Sequence, residues 1–280
     1  MCRRLIITAD DFGAAPPVNE AVEIAHREGV LTAASLMVGA PGAADAVARA
    51  KRLPSLRVGL HLVLVEGRPT LPTAAVSQLV GPDGRFRSDM ARAGATMFFH
   101  PVARRQLAAE IEAQFQAFAD TGLTLDHVNT HKHFHLHPTI AGLILQIGAR
   151  YGMTAARIPV EPRMVISRID GQATPPDFLF DMMARLARGR FRRAGVTIPD
   201  QVFGLRWSGA MTTARLRRLI ADLPRGLTEI YLHPATHGDF AGAARGYRYA
   251  EELAALTASE VVKAAANSQA TLGGFGDFAH

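Results

Sequence analysis

The chain is poor in the residues that build cross-links and stacking surfaces. Among its 280 residues there is one cysteine, Cys2, and one tryptophan, Trp207. A lone thiol excludes an internal disulfide and any cysteine-built metal centre, and it suits a reducing compartment. Aromatic residues make up 7% of the chain and are not interleaved with a basic stripe. The net charge of +6 is therefore read as a solvated, arginine-rich surface, and no nucleic-acid partner is expected. No apolar run is long enough to cross a bilayer. Asp10 and Asp11 end the first apolar run too early for a signal peptide, so a cytoplasmic protein is expected. Internal repeats are absent. A glycine-rich first turn is missing too: Ala9-Asp10-Asp11-Phe12-Gly13 is acidic, which disfavours an open dinucleotide-binding sheet.

What is present is a rhythm of short β-rich runs and amphipathic stretches. The pattern predicts strands over Arg4–Ala9, Leu31–Val38, Arg57–Leu64, Leu125–Thr130, Ala155–Ile158, Val202–Trp207, Glu229–His233 and Thr271–Gly274. Helical spacing fills the intervals; in Arg104–Phe118, Leu107, Ile111, Phe115 and Phe118 form a stripe that reads as core packing. About eight β-then-α units imply an α/β fold, an irregular (β/α) TIM-like barrel, forming one domain over residues 1–280. The segments at about 68–101 and 160–199 break the rhythm and read as insertions that form lids or a substrate-admitting surface.

In such a barrel, reactive side chains belong at the C-terminal ends of the strands. The sequence places Asp10, Asp11, His61, Arg157, Trp207, Ser208 and His233 there. Adjacent carboxylates allow one to ligate a metal while the other serves as general base; the plainer alternative is an N-cap pair. His61 with Asp11 and His131 would complete a His₂Asp ligand set. Arg157 beside Asp10 would hold that carboxylate ionised, and His233 is a candidate general acid.

The densest signal lies between Asp126 and Pro138, where five of the eleven histidines fall. As a strand, His131, His133 and His135 would share one face; as a helix, His131 and His135 would. Spacing alone does not choose the ligand among the three. Barrel geometry asks this tract for one ligand, with the remaining imidazoles orienting it or lining a pocket.

Thr8-Ala9-Asp10-Asp11-Phe12-Gly13, Gly59-Leu60-His61-Leu62, the run His131–His137, Arg157-Ile158-Pro159 and Leu232-His233-Pro234 together resemble the YdjC-like carbohydrate deacetylases. The segments Leu31–Val38, Gly59–Pro69 and Asn129–His135 are similar, more narrowly, to the branch of that family associated with hopanoid biosynthesis. The resemblance implies a barrel that removes N-acetyl groups from amino sugars with a divalent metal, Mg²⁺ or Zn²⁺. It implies Asp11, His61 and His131 as ligands, Asp10 as base and His233 as acid, with Arg157 supporting the base. His133, His135, Trp207 and Asn129 are expected near the substrate. Many relatives carry aspartate where Asn129 stands; an amide cannot take a proton as a carboxylate does, so Asn129 is given a positioning role. The implied partner is an N-acetylated amino sugar or glycolipid. The basic amphipathic stretch Phe178–Arg193 reads either as an ordinary surface helix or as a peripheral contact with the inner membrane face.

Overall fold

The computed structural model describes residues 2–173 and 175–279. The first half of the chain runs β1 (Arg3–Phe12), α1 (Pro16–Glu28), β2 (Ala33–Leu36), α2 (Ala43–Lys51), β3 (Arg57–Leu62), α3 (Met90–Phe99), α4 (Pro101–Asp120) and β4 (Val128–Thr130). There follow α5 (Pro138–Arg150), α6 (Arg163–Asp170), α7 (Phe178–Arg193), β5 (Gln201–Phe203) and α8 (Thr213–Ala221). The chain continues through β6 (Gly226–Leu232), α9 (Tyr249–Thr257), α10 (Ser259–Asn267) and β7 (Thr271–Leu272).

All strand pairs are parallel, in the order β4-β3-β2-β1-β6-β5, as helical crossovers require. Ala155–Ile158, expected as a strand, contributes only single bridges, from Ala156 to Val128 and from Ala155 to Thr197. Those bridges, with Val202 N donating to Val160 O at 2.9 Å, span the gap between β4 and β5 and make the barrel irregular. Trp207 lies in a turn beyond β5 rather than within a strand. The 68–101 segment carries a short 3₁₀ turn and α3; the 160–199 segment carries α6 and α7.

Strand alternation sorts the β1 side chains. Leu5, Ile7 and Ala9 join the large apolar cluster shared with the helices. Ile6, Thr8 and Asp10 face the barrel interior. That interior is layered. Ile6, Ala33, Ala155 and Leu227 meet Phe275 and Phe278 of the C-terminal segment, which plugs the lower end with apolar surface. Above them lies a buried polar layer that includes Thr8, Ser35, His127, Arg157 and Glu229. Gly59 is required there: a Cβ at that position would fall 2.4 Å from His127 Nδ1.

Candidate active site

The strand ends carry the reactive groups on a cavity of about 500 Å³, whose wall includes Asp10, Asp11, His131 and His233. Simple alternation would send Asp10 and Asp11 to opposite faces. A bulge prevents this. Between the paired positions Ala9↔Ala34 and Phe12↔Leu36, the two aspartates oppose the single residue Ser35. Asp11 takes φ of +61°, a left-handed conformation that turns its side chain to the cavity beside Asp10.

Asp11 Oδ1 lies 3.3 Å from His61 Nε2 and 3.3 Å from His131 Nδ1. One donor atom from each of the three residues falls within 4.8 Å of the others. Asp11 Oδ1 and His61 Nε2 are buried without a hydrogen-bond partner among the described residues. Buried polar atoms converging unsatisfied are what a cation site leaves when described without its ion. The donor set, one carboxylate and two imidazoles with open positions, fits a divalent ion. Burial alone would raise the Asp11 pKa, yet His131 and His61 hold it well below the usual range.

Asp10 is held differently. Arg157 Nη1 and Nη2 donate to its two oxygens at 2.5 and 3.0 Å, and Asn129 Nδ2 donates to Oδ1 at 3.1 Å. Burial opposes ionisation, but the Arg157 charge prevails and keeps Asp10 ionised far into the acid range. Arg157 is wholly buried and also donates through Nε and Nη2 to Glu229 Oε1, at 2.9 and 2.6 Å. Its guanidinium lies 4.2 Å from the ring centre of Tyr231. Arg157 thus holds Asp10 from beneath rather than facing the cavity.

The histidine tract adopts neither expected form. His131–Leu136 is a 3₁₀ turn in which Lys132 and His133 take left-handed φ of 54° and 55°. This splays the imidazoles. His131 reaches Asp11, whereas His133 Nε2 meets Tyr231 Oη at 2.9 Å and His135 Nδ1 meets Thr130 Oγ1 at 2.7 Å. Burial and the Arg157 charge lower the His133 pKa well below normal and that of His135 to about 3, so both stay neutral. His233 closes the cavity just beyond β6; its backbone amide donates to Glu252 Oε2 at 2.5 Å, and its Nδ1 is buried without a partner among the described residues.

The expected substrate contacts are placed otherwise. His133, His135, Asn129 and Trp207 do not line the cavity. The Trp207 indole donates to Asp170 at 2.8 Å and stacks with Arg215. Asn129 works beneath the site, accepting at Oδ1 from His61 Nδ1 at 2.6 Å. Instead the wall draws Arg68, Thr70 and Arg85 from the first insertion, and Phe240 and Tyr249 from the segment after β6. Glu229 and Tyr231 were missed by sequence reasoning. Their signal was present: Glu229, Tyr231 and His233 alternate along one strand, so the two share the face of His233.

The YdjC-like protein family matches residues 4–267. A Mus musculus carbohydrate deacetylase is 32% identical over 242 residues, covering 82% of this chain and 77% of that protein. A Brevibacillus brevis carbohydrate deacetylase is 40% identical over 157 residues, 56% of this chain and 58% of the relative. The chain thus spans little more than half the length of this bacterial relative. A solved Enterococcus faecalis protein, provisionally named a cellobiose-phosphate cleavage protein, covers 100% of both chains with a TM-score of 0.77. At 24% identity that likeness speaks for the fold. Matched along nearly its whole length, the chain belongs to the YdjC-like family.

Proposed function

We propose that the protein is a metal-dependent carbohydrate N-deacetylase. The observation that carries this reading is the side-by-side presentation of two carboxylates with different partners on one cavity. Asp11 faces two imidazoles, Asp10 is gripped by Arg157, and His233 lies on the same wall. A site built only to bind a metal or sugar has no use for a separately held carboxylate and imidazole. The family relatives named carbohydrate deacetylases support the same reading.

Asp11, His61 and His131 would hold the divalent ion, Zn²⁺ or Mg²⁺. Bound there, it would supply Lewis-acid polarisation of the amide carbonyl and acidify water. Asp10 takes the proton from the attacking water. Arg157 and Asn129 fix its two oxygens for that transfer. His233 in its imidazolium form gives a proton to the departing nitrogen as the C–N bond breaks. Acetate and a free amine leave.

The substrate in this reading bears N-acetylglucosamine on a lipid: a glycosylated hopanoid converted from its N-acetylglucosaminyl to its glucosaminyl form. Support comes from the exposed face of α7, which packs on the 131–136 turn that supplies His131 to the cavity. On α7, Leu179, Met182 and Leu186 follow one another at helical spacing and are exposed, while Ala184, Ala187 and Phe191 face the body. The exposed stripe continues at the elbow between α3 and α4. There Phe98 packs 6.1 Å from His137, and the next residue's carbonyl, Pro138 O, takes Arg190. Arg185, Arg190 and Arg193 on α7 bond only backbone carbonyls and meet no carboxylate among the described residues. Unpaired guanidiniums around protruding apolar side chains complement an anionic bilayer surface, and they would repel the same face of a second copy. No helix among the described residues is long and apolar enough to cross a membrane.

Acetate release from soluble N-acetylated chitooligosaccharides and from N-acetylglucosaminyl glycolipids, with and without chelator, tests the reading. Chelator-sensitive release from the glycolipid is expected. Release from the soluble glycan alone would assign a chitooligosaccharide deacetylase. No release from either substrate would leave a binding protein. Co-sedimentation with anionic vesicles tests the surface, and absence of binding removes it.

A further inference from the structure

Beneath the metal ligands, polar side chains run in an unbroken chain from the C-terminal plug to His61. Asp126 accepts the backbone amides of Phe275 and Gly276, at 3.0 and 2.8 Å, and accepts from His127 Nδ1 at 2.9 Å. His127 is stacked on Phe275, with ring centres 4.2 Å apart. Its Nε2 lies 2.9 Å from Ser35 Oγ. Ser35 Oγ also receives Asn129 Nδ2 at 2.9 Å. The other hydrogen of that amide goes to Asp10 Oδ1, and Asn129 Oδ1 faces His61 Nδ1.

Ser35, His127 and Asp126 have the spacing of a nucleophilic triad, but Ser35 is 0% exposed and its oxygen is taken by Asn129. The chain does something else: it assigns hydrogens. A carboxylate only accepts, so His127 carries its proton on Nδ1, and in the neutral ring Nε2 is an acceptor. The Ser35 hydroxyl must then donate to Nε2, which leaves its oxygen to accept from Asn129. With its nitrogen turned toward Ser35 and Asp10, Asn129 presents its carbonyl oxygen to His61. That oxygen accepts only, so His61 holds its proton on Nδ1. Nε2, 3.3 Å from Asp11 Oδ1, is then the nitrogen that gives up any hydrogen to ligate.

We propose that Ser35, His127 and Asp126 are positioning residues of the metal centre, fixing through Asn129 the His61 tautomer that can ligate. The inference rests on the reading of Asp11, His61 and His131 as ligands. Register favours this route: His61 pairs with Asn129 across β3 and β4, and the bulge of β1 sets Asp10 opposite Ser35. Groups that orient a ligating imidazole generally change metal affinity by about 10- to 100-fold.

The test uses the full chain, metal-free and ¹⁵N-labelled on histidine, at an alkaline pH where only neutral imidazole tautomers are read. The His61 ring should show the Nδ1–H tautomer in the wild type. In Ser35→Ala and Asp126→Asn, the signal should shift toward a mixture of tautomers. Zn²⁺ affinity, measured by chelator competition, should fall about tenfold in both variants. An Nε2–H tautomer in the wild type overturns the proposal even if neither variant folds. Unchanged tautomer and affinity in folded Ser35→Ala overturn it as well. Neither readout needs turnover. A protein that locks the tautomer and binds Zn²⁺ without releasing acetate would therefore refute the deacetylase reading and leave this one standing.

Discussion

Arg157→Met isolates the buried charge arrangement that holds Asp10, the proposed base. The guanidinium donates two hydrogen bonds to Asp10 and two to Glu229, and all three residues are essentially excluded from solvent. Methionine fills much of the same volume, so little of the effect is a cavity. Among the described residues, Glu229 would keep the hydrogen bond from Thr8 Oγ1, at 2.9 Å, and Asp10 the one from Asn129. Removing one partner of a buried ion pair costs about 3–5 kcal/mol, because the stranded charge stays desolvated. At a few degrees per kcal/mol for a chain of this size, that is a fall in Tm of roughly 10 °C. The assay is denaturant unfolding of metal-free protein near neutral pH. A companion variant, Arg157→Met with Glu229→Leu, removes one of the two stranded charges and should recover about half of the loss, roughly 2 kcal/mol. A loss below about 1 kcal/mol in the single variant, or no recovery in the double, would refute the account of Arg157 as the shared counter-ion.

Asp10→Asn should lower kcat for acetate release by about 10²- to 10⁴-fold with little change in KM, since the amide keeps the shape and loses the base; equal losses in KM would assign it to binding. His61→Ala should abolish stoichiometric metal, read by elemental analysis of the purified protein, while the secondary structure by circular dichroism is unchanged. Asp126 is held below its ordinary value of 3.8 by His127 and two backbone amides, against the opposing effect of burial. Its contribution to stability is therefore present above that value and is lost as pH falls through the lower folded-state pKa. The stability gap between wild type and Asp126→Asn should close in that window in an acid titration of unfolding. At position 11, metal-free Asp11→Gly should be more stable than Asp11→Ala by about 1 kcal/mol in the same unfolding assay.

The strand-end residues were legible because burial on both faces leaves a parallel barrel few places for charge. Asp10, His61, Arg157 and His233 each interrupt an apolar run, and the structure brings all four to the mouth or directly beneath it. What the sequence could not carry was local backbone conformation. Lys132 and His133 adopt left-handed φ although neither is glycine or asparagine, and no residue type announces it. That single departure sends one imidazole to Asp11 and the next away to Tyr231. Ala155–Ile158 has the composition of a strand, but its neighbours meet it at isolated points, and pairing is a property of both partners. Trp207 failed for a similar reason. An indole needs a hydrogen-bond partner when buried, and Asp170, from the second insertion, supplies it at a distance in sequence that no pattern encodes.

The end of β1 is where the demands of folding and of the site diverge most. A regular strand would bury Asp10 in the barrel and turn Asp11 outward among the apolar residues that face the helices. Two residues set against one, with Asp11 left-handed, bring both carboxylates to the cavity. The backbone term for a non-glycine residue in that conformation is about 1–2 kcal/mol unfavourable, and aspartate tolerates it better than most. Comparing glycine with alanine at this position separates that term from the loss of the carboxylate, since both lack it. In ordinary helix or strand backbone alanine is the more stable of the two, because glycine loses more chain entropy on folding. Reversal of that ranking would therefore be a direct reading of the strain. An alanine variant equal to or more stable than glycine would mean that β1 relaxes to a regular end once the carboxylate is gone. In that case the bulge would be held by the attraction of Asp11 for His61 and His131 rather than imposed by the barrel.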